Sequence, residues 1–163
     1  MPSPAEAPKQ RVHVNVADMK LSTSLDAELT TYGLGPCIGI TFFDPRARVG
    51  ALLHAQLPLA RANASRALAS PFTYVDRGII ETLRALAACG ADRQRLVVHL
   101  AGGAAGIHGA EIGPRNVVVA ERMMERHHLL VVERQLGGNV ARTMTLDLAS
   151  GRTSIRAVER VAA

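Results

Sequence analysis

The chain has 163 residues, the length of one ordinary domain; 48% are apolar but only 3% aromatic and none is tryptophan, so the core must be filled by Val, Leu, Ile and Ala. A net charge of +5 and a pI near 10.0 invite phosphate binding, yet only two of the 19 basic residues are lysine, and the arginines stand singly among acids and alanines. With few aromatics available for stacking (Phe42, Phe43, Phe72, Tyr32, Tyr74) the composition disfavours a nucleic-acid-binding tract, and no apolar run approaches the ~18 residues of a membrane-spanning helix.

Residues 1–10 carry three prolines and little to bury, which predicts a disordered tail ahead of a single domain over 11–163. They contain no apolar signal core, so a reducing cytoplasm with Cys37 and Cys89 as free thiols is expected. The alternation at Val12–Val16 predicts a first strand, and Leu29–Tyr32 leads into a glycine turn. Cys37–Phe43, stopped by the turn-forming pair Asp44-Pro45, and Val49–Ala55 read as a hairpin. A turn centred near residues 46 and 47 sets Cys37 opposite residue 55, next to His54. Residues 59–72 read as a long surface loop or partly helical excursion.

The spacing of Val75, Ile79, Leu83 and Leu86 predicts an amphipathic helix, with Thr73 and Asp76 as a capping pair and Gly90 as its stop. Leu96–Leu100 is a buried strand running into Ala101-Gly-Gly-Ala104. A second helix opens at Pro114 and continues to about His127 with Val117, Ala120 and Met124 inward. Leu129–Glu133 is a further strand, and Thr143–Leu148 with Thr153–Val158 around Ala149-Ser-Gly151 form a terminal hairpin. Strands and helices interleave without a strict strand-helix-strand repeat, which predicts an α+β layered fold.

The chemistry-bearing segment is Thr31-Tyr-Gly-Leu-Gly-Pro-Cys37 with His54. It offers a thiol on a glycine-rich turn, an imidazole on a separate element and a nearby hydroxyl, the parts of a cysteine nucleophile whose thiolate a histidine draws out. The residues alone leave Cys37 open between nucleophile and small core hydrophobe. Gly33-Leu-Gly35 lacks the third glycine and following helix of a dinucleotide site. Ala101-Gly-Gly-Ala104 reads equally as a turn aiming N–H groups at an anion or substrate carbonyl and as a tight strand exit. His13, His54, His99, His108, His127 and His128 lack metal-ligand spacing, so no metal or cofactor is expected. His127-His128 reads as a cationic helix end, Cys89 as packing, and Met123 and Met124 as core filler.

Taken in order, Thr31-Tyr-Gly-Leu-Gly-Pro-Cys37, Asp44-Pro45 through Val49-Gly50, His54 with Leu57-Pro58, Tyr74-Val-Asp76, Ala101-Gly-Gly-Ala104, Ile112-Gly-Pro-Arg-Asn116 and Gly137-Gly-Asn-Val-Ala-Arg142 resemble the CheD family of chemoreceptor glutamine deamidases. The resemblance runs from about residue 12 to residue 158. It implies packed mixed sheets covered by helices, similar to deamidating bacterial toxins, and a protein-glutamine glutaminase acting on methyl-accepting chemotaxis receptors. By that resemblance Cys37 attacks the carboxamide to give a thioester, His54 serves as base and then acid with a pKa near working pH, and Thr31 orients the imidazole. Receptor methyl-ester hydrolysis and a CheC-type phosphatase partner are further implied. Pro36 stands where many members carry serine, which removes that hydroxyl and N–H and leaves the oxyanion to other donors, the N–H of Cys37 among them. The segment from Ala104 to Ile112 is shorter than in relatives. Pro36 is the one feature that favours the alternative, a non-catalytic module that docks on receptors or on a phosphatase.

Overall fold

The computed structural model describes residues 8–106 and 111–158. Most of the expected tail, His108 and the centre of the short 104–112 segment lie outside that range. Strands β4 (Ile38–Asp44) and β5 (Val49–Ala55) are buried along their whole length, as near-continuous apolar runs require when both faces are covered. They form the expected antiparallel hairpin, with Ile38 opposite Ala55 and Gly39 opposite His54. This is one residue off the expected register and carries Cys37, just ahead of β4, toward Gln56.

Around this hairpin lie β2 (Asp18–Ser22) beside β5, β6 (Val97–Gly102) beside β4, and β7 (Leu130–Leu136) parallel to β6, giving a five-stranded sheet in the order β2-β5-β4-β6-β7. The second sheet has four strands in the order β1-β3-β8-β9: β1 (Gln10–His13) parallel to β3 (Ala27–Leu34), then the terminal hairpin β8 (Ala141–Asp147) and β9 (Thr153–Val158). Both sheets are mixed, and helices cover one of them, as the predicted α+β class requires.

Side-chain alternation sorts the five-stranded sheet into two cores. Ile38, Ile40, Phe42, Ala51, Leu53, Val98 and Leu100 face the helices α2 (Val75–Ala88) and α3 (Ile112–Arg126), meeting Ile79, Leu83, Leu86, Ala120 and Met124. Phe43, Leu52 and Ala101 face the other sheet and meet Leu29, Leu34, Met144 and Leu146. Each fully buried Leu or Ile here contributes about 1.5–3 kcal/mol. A short helix, α1 (Ala64–Ala69), lies in the 59–72 excursion.

Several local expectations shift. The first strand ends at His13 rather than Val16, because Ala17 takes a left-handed φ of 60° that turns the chain into β2, a strand whose polar composition hid it. Thr73 and Asp76 do not form a capping pair: the N-cap, Tyr74, has no side-chain cap, and the Asp76 carboxylate accepts from the Arg77 N–H at 2.8 Å and from the Ala60 N–H at 2.9 Å, pinning the excursion. Gly90 does stop α2, at φ +90° with Gly90 N–H to Ala87 and Ala91 N–H to Leu86, a Schellman closure. Cys89, read as packing, is exposed at that helix end. Burial, then the nearby Arg93, Arg126 and His128, lower the His127 pKa, and Arg93 donates to its Nδ1 at 3.3 Å, so the surroundings disfavour the expected cation at the end of α3.

Candidate active site

The two inward faces meet at one end of the sandwich, and there the residues change from apolar to polar. His54 lies two residues past Leu52 and Thr31 two past Leu29, so both point into the inter-sheet core by strand alternation. Both are fully buried. Cys37, half-buried, packs against the same core, two residues before Gly39, which stands directly opposite His54. Cys37 and His54 are thus diagonal neighbours on one face of adjacent strands. At Gly39, opposite His54, a Cβ would come within 2.7 Å of the Leu34 side chain, which would have to shift to admit it.

The hydrogen bonds of Thr31 fix the state of the imidazole. Thr31 Oγ1 is 2.7 Å from the Val14 carbonyl and 2.7 Å from His54 Nδ1. A carbonyl only accepts, so the single hydroxyl proton goes to Val14, and Thr31 must accept from His54, which carries its proton on Nδ1. Nε2 is left with its lone pair, buried and without a hydrogen-bond partner. Leaving a buried nitrogen unpartnered costs about 1–3 kcal/mol, and the lone pair of Nε2 can accept a proton from a neighbouring donor.

Electrostatics make the resting pair neutral. Burial, and then the neighbouring His13, lower the His54 pKa to about 4. Burial pushes the Cys37 thiol up, opposed by its own backbone N–H, which turns toward the sulfur. Both shifts run against a resting thiolate–imidazolium pair, and the His54 value of about 4 lies below the working-pH value that the resemblance implies.

The Cys37 loop is shaped by three neighbours. A bulge between Thr31 and Leu34, with Gly33 at φ +68°, shifts the β3 register with β8 before Leu34 pairs with Arg142, and beyond Leu34 the chain turns toward Cys37. The turn Ala101-Gly-Gly-Ala104 lies beneath it, and here the strand-exit alternative prevails: Gly103 N–H and Ala104 N–H donate to the carbonyls of Cys37 and Gly35, both at 2.9 Å, so they are unavailable to a substrate oxygen. The third neighbour was not singled out from sequence. Asn116, buried on α3, donates from Nδ2 to the Pro36 carbonyl (2.9 Å) and to the Gln56 carbonyl (3.0 Å). It ties the residue before Cys37 to the strand that carries His54, although only its place in the Ile112-Gly-Pro-Arg-Asn116 motif drew notice. Arg142, from the last motif, is buried and donates to the Gly102 carbonyl at 3.2 Å, supporting the same turn. Among the described residues no group of His, Cys, Asp or Glu side chains converges as a metal site, and no helix is long and apolar enough to cross a membrane.

The arrangement brings a thiol, an imidazole of fixed tautomer and a buried hydroxyl to one end of the sandwich. The family model described as CheD chemotactic sensory transduction matches residues 56–157, a stretch that begins two residues beyond His54. Alignments with individual relatives reach further. A "Probable chemoreceptor glutamine deamidase CheD" of Solibacter usitatus is 33% identical over 146 residues, covering 88% of this chain and 86% of that protein. A second, of Anaeromyxobacter dehalogenans, is 37% identical over 93% of this chain and 97% of its own length. A third, of the archaeon Pyrococcus horikoshii, is 37% identical over 91% and 93%. With one family model spanning most of its length and relatives this similar along nearly all of it, the chain belongs to the CheD family.

Proposed function

We propose that this chain hydrolyses the carboxamide of selected glutamines on chemoreceptors to glutamate and ammonia, with Cys37 as nucleophile, His54 as base and acid, and Thr31 as the residue that orients the imidazole. The observation that carries it is the orphaned Nε2 of His54, held toward the Cys37 end of the sandwich by the Thr31 hydrogen bond. Family membership supports the substrate: the relatives are named as chemoreceptor glutamine deamidases.

The resting pair is neutral, so the thiol proton passes to His54 Nε2 as sulfur attacks the amide carbon. The Cys37 N–H is the donor assigned to the oxyanion that forms. Collapse of that intermediate breaks the C–N bond as the imidazolium gives its proton to nitrogen, and ammonia leaves. Water then adds to the thioester with His54 again taking a proton, and glutamate and thiol are released. Low resting basicity suits His54 to the second proton transfer, because a weakly held proton is readily given up.

Mass spectrometry of receptor cytoplasmic domains co-expressed with the wild-type chain or with Cys37→Ala is the test. Gain of one mass unit at glutamines with the wild type alone is expected; equal conversion with Cys37→Ala excludes the mechanism. Thiol alkylation is a weaker discriminator, because a thiol raised by burial reacts slowly at neutral pH even in a working enzyme. A cytoplasmic location and a CheC-type phosphatase partner belong to the same proposal, and co-purification with such a phosphatase tests the latter.

A further inference from the structure

One cleft, whose lining includes neither Cys37 nor His54, opens beside the Asn116 clamp. It holds about 580 Å³, a volume typical of ligand clefts, between the 59–72 excursion and the start of α3. Leu57, Pro58, Tyr74 and Ile112 supply apolar wall, while Arg61, Arg66 and Arg115 bring three guanidinium groups and no acid lines it. All three arginines are exposed, and among the described residues none makes an ion pair or a side-chain hydrogen bond. The acids closest along the chain are Asp76, committed to the Ala60 N–H, and Glu111, exposed and outside the lining.

The cleft is joined to the site by the Asn116 clamp. Arg115 adjoins Asn116 in sequence, and Leu57 adjoins Gln56, whose carbonyl Asn116 holds together with that of Pro36. A chain lying in the cleft therefore begins one residue from the groups that flank Cys37 and His54.

We propose that this cleft is the docking subsite for the substrate protein, and that its occupant is an acidic amphipathic segment whose carboxylates meet Arg61, Arg66 and Arg115 while its apolar side chains cover Leu57, Pro58 and Ile112. The proposal rests on the deamidase assignment above for the identity of the occupant's neighbour, a target glutamine presented to Cys37. Three like charges around an apolar floor select an acidic partner by long-range attraction and reject a basic one.

Binding is measured in the Cys37→Ala background with two synthetic helical peptides, each carrying one glutamine, flanked in one by glutamates and in the other by alanines. The parent is expected to bind the acidic peptide more tightly, and Arg66→Gln/Arg115→Gln to weaken that binding about tenfold, leave the alanine peptide unchanged and flatten the salt dependence. Equal affinity of the parent for both peptides, an acidic-peptide affinity unmoved by the double substitution, or tighter binding of a DNA duplex than of the acidic peptide would overturn it. Should the double variant misfold, Arg115→Glu with a lysine-flanked peptide gives an independent check, recovered binding supporting the subsite and none opposing it. Ammonia release from the same peptides by the chain with Cys37 intact reports the deamidase assignment separately: binding without release removes that assignment and leaves the docking site standing.

Discussion

Both ends of the β4–β5 hairpin bury an ionisable side chain completely, Asp44 at the turn and His54 at the open end. Asp44 is surrounded by donors. Its carboxylate accepts from the N–H groups of Arg46, Ala47 and Asp92 at 2.8–3.0 Å and pairs with Arg95 at 2.9 Å. Burial alone would raise its pKa, but the Arg95 bond and the three N–H groups outweigh it and hold the carboxyl well below the usual range. His54 has one partner, Thr31, and one nitrogen with none. Asp44, which holds the turn, is saturated, whereas His54 keeps one ring nitrogen unpartnered.

Replacing the two residues should separate activity from stability. His54→Gln, like Cys37→Ala, is expected to cut glutamine deamidation by at least ~10⁴-fold, read by ammonia release, with a smaller loss in urea midpoint than the Asp44 variant because it disturbs one side-chain hydrogen bond and leaves little cavity. A midpoint fall as large as that of the Asp44 variant would make His54 a structural histidine. Asp44→Ala should show the converse, losing about 3 kcal/mol of unfolding free energy as three backbone N–H groups and Arg95 lose their acceptor, with turnover per folded molecule retained.

The partner of each group can be varied more gently. Thr31→Val keeps the shape but removes the acceptor that holds the proton on Nδ1, and a 10- to 100-fold loss in kcat is expected, with Thr31→Ser restoring most of it. Unchanged kcat in the valine variant would show that the tautomer is set elsewhere.

The smallest effect sharpens the comparison furthest. Above pH 6.5 His54 is neutral in both folded and unfolded chains and contributes no slope. Between pH 6.5 and its folded value of about 4 the unfolded chain takes a proton that the folded one refuses, so stability falls as pH falls. Asp44 acts lower: its stabilisation is complete above the ordinary carboxylate value near 3.9 and is lost as pH drops beneath it. In urea titrations His54→Gln should remove the upper arm, apart from the part due to His127, and Asp44→Asn the lower one, apart from the part due to Asp147. The acid limb of kcat/KM should likewise fall near pH 4; a limb near 6.5 would contradict the buried, neutral base.

Much of this was legible in the chain. The hairpin, the two long helices and the terminal hairpin announce themselves through apolar spacing and turn residues, and Cys37, His54 and Thr31 are legible as a set through the ordered motifs. Less legible was β2, whose Asp18, Lys20 and Ser22 dilute the pattern, although Met19 and Leu21 pack against the helix-side core. The role of Asn116 was hidden, since a single amide in a helix gives no sign that it spans two loops far away in sequence.

The sequence by itself determined the layer pattern, the residue types of the site and the register of the strand that carries His54 to within one residue, because those depend on periodicity and near neighbours. Only the tertiary structure decided the chemistry's starting state. The tautomer depends on the Val14 carbonyl across a strand, the shifted pKa values on burial between two sheets, and the alignment of Cys37 with His54 on a clamp from α3. Each arises where segments distant in sequence meet, and no local pattern records such meetings.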